Sequence, residues 1–114
     1  MKTSKPVSGC FKKWKVILED QVLKFFEKLG LLSEVEAWKK ELEDELNGDP
    51  KAIFKLLKEP IIYEVGGIKR RRYRLYLRGQ PFRLVFVINT SSCVVIFTKV
   101  AKRDEETYRK LKRD

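Results

Sequence analysis

The sequence contains no histidine. That absence removes the side chain most used as a general base near neutral pH and the commonest metal ligand. It argues against a zinc centre and against a ribonuclease built on two histidines. Cysteine is scarce too. Only Cys10 and Cys93 occur, too few for a disulfide framework or a metal cluster in a chain with no secretory leader. Residues 1–11 are expected as a loose tail carrying Cys10, and Cys93 as a small buried apolar side chain. No apolar run approaches the roughly 20 residues needed to cross a bilayer, and no charged-then-apolar leader ends in a small-residue cleavage site. The expectation is a cytoplasmic protein with no membrane partner. Repeats, low-complexity tracts and glycine-rich phosphate loops are missing as well; Gly66-Gly67 is only a turn signal.

What is present is one domain's worth of core and a lopsided charge. The 114 residues are 43% hydrophobic and 37% charged, a balance that suits a folded globule and leaves room for a single core. Residues 1–66 hold 12 Lys/Arg and 12 Asp/Glu, whereas residues 67–114 hold 14 and 4. The whole net charge of +10 therefore belongs to the C-terminal part. A positive field concentrated in this way attracts polyanions. Because the arginines lie among strand-forming residues and not on an amphipathic helix, a membrane surface is the weaker partner.

Periodicity orders the elements. Trp14 to Leu18 is a β-branched and aromatic run that predicts a first strand. Asp20 is placed as an N-cap ahead of Val22, Phe26 and Leu29, and Gly30 stops that helix. Ser33 to Glu36 has the Ser-x-x-Glu pattern of a capping box, and Val35, Trp38, Leu42 and Leu46 follow at helical spacing. Its other face, with Glu41, Glu43, Asp44 and Glu45, reads as solvated. Asp49-Pro50 opens a short third helix bearing Ile53, Leu56 and Leu57. From Tyr63 the period changes to two. Tyr73, Leu75 and Leu77 fall on one side of a strand, and Arg72, Arg74, Tyr76 and Arg78 on the other. Gly79-Gln80-Pro81 predicts a hairpin, Phe82 to Ile88 a nearly continuous apolar strand broken by Arg83, Asn89 to Ser92 a turn, and Cys93 to Val100 a third strand of the meander. Ala101 to Asp114 is expected as a short helix or tail. The fold class is α+β: an N-terminal strand, two or three helices, then an antiparallel three-stranded meander with the helices on one sheet face.

The run from Tyr73 through Gly79 to Ile88, followed by Val94 to Asp104 and then Tyr108, resembles the RelE branch of the RelE/ParE toxin superfamily, with its basic strand, hairpin, arginine in the central strand and Lys-Arg after the last strand. The resemblance covers roughly the last 40 residues and extends more loosely to Trp14–Gly30; Ser33 to Pro60 is longer than the family's second helix. It implies a toxin that enters the ribosomal A site and promotes attack of an mRNA 2′-hydroxyl on the adjacent phosphate. Implied partners are mRNA, the ribosome's small-subunit rRNA and a RelB-like antitoxin, and no cofactor or metal is implied.

Carried over by position, Arg83 would stabilise phosphate charge and Arg103 would contact phosphate and assist the leaving group, while Tyr108 matches a C-terminal tyrosine after a one-residue shortening. Where the family places two lysines, this chain has Arg74 and Tyr76. Arginine does not give up its proton, so Tyr76 or Tyr108 is left as the expected base. Lys69, Arg70, Arg71, Arg72, Arg78 and Lys102 are expected to bind the RNA backbone. Two other functions stay open: a ParE-like inhibitor of DNA gyrase, and a non-catalytic RNA- or ribosome-binding module.

Overall fold

The computed structural model describes Cys10 and residues 12–102. The chain runs as strand β1 (Lys15–Leu18), helices α1 (Asp20–Lys28), α2 (Leu32–Gly48) and α3 (Ala52–Leu57), then strands β2 (Ile61–Val65), β3 (Ile68–Leu77), β4 (Gln80–Asn89) and β5 (Val94–Lys102). It is an α+β fold with one five-stranded mixed sheet in the order β1-β5-β4-β3-β2. β1 lies parallel to β5, and the other pairings are antiparallel. The meander therefore has four strands where the sequence reading gave three. β2 is short, and its buried-to-exposed alternation is too weak to mark it as a strand.

The helices cover one face of this sheet. Val22, Phe26, Val35, Leu42, Leu46, Ile53 and Leu56 share a single core with Val16, Leu18, Leu75, Phe82, Leu84, Phe86 and Phe97 from the strands. Trp38 of α2 stacks at 5.4 Å on Tyr73 and 5.0 Å on Phe97, and its indole N–H donates to the Tyr73 hydroxyl at 3.3 Å. Trp14 is buried as well. Both tryptophans are thus packing residues.

Burial, more than capping chemistry, sets the helix starts. α1 begins at Asp20 itself, and Glu19 precedes it without a side-chain cap. The expected capping box does not form: α2 already starts at Leu32, and the Ser33 hydroxyl bonds Glu34. The N-cap there is Leu31, 2% exposed, whose carbonyl accepts the Val35 N–H. Asp49 accepts the Lys51 N–H, and α3 begins at Ala52 instead of Pro50.

Two corrections concern the N-terminal segment. Cys10 and Cys93 form a disulfide across 83 residues of sequence, and both are buried in the core. Their spacing along the chain gave no sign of this. The acidic side of α2 is not all solvated either. Glu43 accepts the Val16 N–H at 2.8 Å, while Asn47 accepts from the Trp14 N–H and donates to the Trp14 carbonyl. Side chains of α2 thus occupy hydrogen-bonding groups along the outer edge of β1, which would otherwise be open to another strand.

Turns close the meander. Arg78 and Gly79 have φ of 51° and 76°, and Leu77 pairs with Gln80, the signature of a two-residue type I′ hairpin. The turn thus sits one residue earlier than Gly79-Gln80-Pro81. Gly66 and Gly67, at φ 58° and 79°, do the same between β2 and β3. Asn89 Oδ1 accepts the Ser91 and Ser92 N–H groups in the last turn. β5 runs on through Ala101 and Lys102, where a helix or tail was expected.

Candidate nucleic-acid interface

The face of the sheet away from the helices gathers the arginines. Register places Arg74 directly opposite Arg83, with Ala101 beyond it on β5; the next row is Arg72, Val85 and Lys99. Side chains two residues apart share a face, so Arg70, Arg72, Arg74 and Tyr76 line this open face while Tyr73, Leu75 and Leu77 point into the core. Tyr76 is 58% exposed. β3, β4 and β5 contain no acidic residue, so nothing within these strands offsets the charge.

Lys99 reaches this face by an irregularity that the sequence does not reveal. Val95 and Phe97 are core residues, and simple alternation would send Lys99 after them. The ladder between β4 and β5 shifts register, with Val85 opposite Lys99 and Phe86 opposite Phe97, so that Thr98 is the extra residue. A bulge of this kind re-aims every side chain beyond it. Lys99 and Ala101 turn to the open face, and Val100 joins the core side.

Tyr63 is the second residue that sequence reasoning missed. β2 also carries a register shift, between Ile61 and Tyr63, which pairs Tyr63 with Arg70 and so puts it on the open face. Ile62 and Tyr63 pack against Val85 and Ala101. The Arg70 guanidinium lies 6.0 Å and the Lys99 ammonium 5.4 Å from the Tyr63 ring centroid. Three strand spacings would separate the β2 and β5 backbones by about 14 Å in a flat sheet; the Tyr63 and Lys99 side chains span that gap.

Other expected residues are placed elsewhere. Arg71 points to the helix side and donates to the carbonyls of Leu57 and Glu59, at 2.8 Å each, closing the end of α3. Arg78 is in the hairpin turn and pairs with Glu34 of α2; a hydrogen bond from the Glu34 backbone N–H, helped by the Ser33 hydroxyl and then by Arg78, holds the Glu34 carboxyl below the usual glutamate value. Lys69 stands opposite Glu64 and Lys102 opposite Phe82, both in helix-side register. Arg103 and Tyr108 lie outside the described residues. Among the described residues there is no group of three or more metal-ligating side chains, and no helix is long and apolar enough to cross a membrane. A cleft of about 290 Å³ beside β1 and α2, lined in part by Glu36, Lys39 and Glu43, is separate from the basic face.

Comparisons with known proteins found no matching family model, no significant match among curated proteins and none among solved structures.

Proposed function

We propose that the protein is a metal-independent endoribonuclease of the RelE type, cutting mRNA in the ribosomal A site and held in check by a RelB-like antitoxin. The observation that carries this reading is the open face, where Arg70, Arg72, Arg74, Arg83 and Lys99, on three strands devoid of acidic residues, converge with Tyr76 and with Tyr63 of β2. In the proposed reaction the facing pair Arg74 and Arg83 grips the scissile phosphate. Preorganised guanidinium groups stabilise the charge that grows there in the transition state. Tyr76 takes the proton from the attacking 2′-hydroxyl. The 2′-oxygen bonds to phosphorus, the bond to the 5′-oxygen breaks, and the products are a cyclic phosphate and a 5′-hydroxyl. Arg103 follows Lys102 directly and is assigned to the leaving group together with Tyr108.

The test is primer extension on mRNA in programmed ribosomes, with a ribosome-free control. Cuts inside A-site codons that depend on ribosomes and vanish in Arg83→Ala support the proposal. Because the row Arg74–Arg83 contains only guanidinium groups, which hold phosphate but do not accept protons, a non-catalytic RNA-binding module is the second reading. Salt-sensitive ribosome binding without cleavage selects it, and inhibition of gyrase without RNA binding selects the ParE-like alternative.

A further inference from the structure

Two independent ladder irregularities converge on one spot. The β2 shift brings Tyr63 to the open face, and the β5 shift at Thr98 brings Lys99 there. Without either bulge, the two side chains would lie on the helix side and could not meet. Bulges give up ladder hydrogen bonds and are concentrated where a side chain has to be re-aimed. Here they build an aromatic ring flanked by two cations, Arg70 and Lys99. The ring is anchored, since Ile62 and Tyr63 pack on Val85 and Ala101.

We propose that Tyr63, Arg70 and Lys99 form a subsite for one nucleotide of single-stranded RNA, with the base against the Tyr63 ring and the adjoining phosphate between the two cations. The assignment rests on the reading of the open face as an RNA surface and specifies which form of RNA that face takes. An aromatic ring beside cations is how proteins hold a strand whose bases are unstacked. A duplex keeps its bases stacked and offers chiefly backbone. The cation–π contacts are weak and yield to a charge-assisted bond with phosphate. Lys99 therefore swings from ring to phosphate as the base takes its place. Val65 and Ile68, 42% and 51% exposed at the hairpin tip, continue the same side of β2 and β3 with apolar surface for the neighbouring base.

The experiment is fluorescence anisotropy of the full chain with a short single-stranded RNA, the same RNA carrying abasic nucleotides, and a matched duplex. Wild type is expected to bind the intact strand roughly tenfold more tightly than the abasic strand. Tyr63→Leu removes that preference and Tyr63→Phe keeps it. Lys99→Ala lowers the salt slope by roughly 0.7. Equal wild-type affinity for intact and abasic strands overturns the subsite whether or not the variants fold. If the intact strand binds and Arg83→Ala weakens it while Tyr63→Leu does not, the subsite falls and the RNA face stands. If wild type binds no RNA at low salt, both fall.

Discussion

Three consecutive arginines do different work because a strand sends alternate side chains to opposite faces. Arg71 is tied to the α3 carbonyls, while Arg70 and Arg72 face away from the helices. Arg71→Ala is expected to lower stability by about 1.5–3 kcal/mol, the range for hydrogen bonds to a charged group, in urea denaturation, with RNA affinity unchanged in the folded fraction. Arg72→Ala reverses the pattern. Tyr73 gives a pH signature. Burial among Trp38, Phe86 and Phe97 pushes its phenol above the ordinary tyrosine value, with nearby Glu45 and Glu59 acting in the same sense. A raised folded-state value means that the native protein holds this proton more tightly than the unfolded chain. Its contribution is complete below about pH 10 and is lost as pH rises through the folded value. Wild type should lose stability above about pH 10 more steeply than Tyr73→Phe, which denaturant midpoints at pH 8 and above 10 will compare. At this scale the sequence was informative for β3, where Tyr73, Leu75 and Leu77 alternate with Arg72, Arg74 and Tyr76 as expected. It grouped Arg71 with the RNA-binding residues, whereas the side chain is tied to the Leu57 and Glu59 carbonyls, a contact that depends on where α3 ends.

Among the elements, the helices and the two central strands were legible because their apolar spacing is regular. β2 and both bulges were not, since an inserted residue leaves no mark in composition and shows only in the partner strand's register. Deleting Thr98 removes the bulge and places Lys99 directly after Phe97, where strict alternation keeps it on the open face opposite Val85. The expected outcome is a folded protein that keeps its cooperative thermal transition and gains a regular β4–β5 ladder, read as slower amide hydrogen exchange around Phe97 and Lys99. The β1 edge makes a second test. Asn47→Ala removes both bonds to Trp14 and should cost about 1–3 kcal/mol by urea denaturation, with the secondary structure retained in far-ultraviolet circular dichroism.

For the molecule as a whole, the disulfide is the feature furthest from sequence reasoning, because pairing depends on β1 lying beside β5 and bringing Cys10 to the β4–β5 turn. A link closing so long a loop restricts the unfolded chain strongly. Reduction is expected to lower stability by about 2–4 kcal/mol, measured as a shift in the denaturation midpoint with and without dithiothreitol, while Cys10→Ser should not respond to the reductant. The order of strands also bears on how the molecule comes into being. Among the described residues β1, the first strand, pairs only with β5, the last, so sheet closure requires contacts between distant parts of the chain, which slows folding. During synthesis β1 and the apolar faces of α1 and α2 must wait for Val94 to Lys102 to emerge. A chain interrupted before that point lacks Lys99 and the central position of β4, so the basic face is assembled only once β5 has been made.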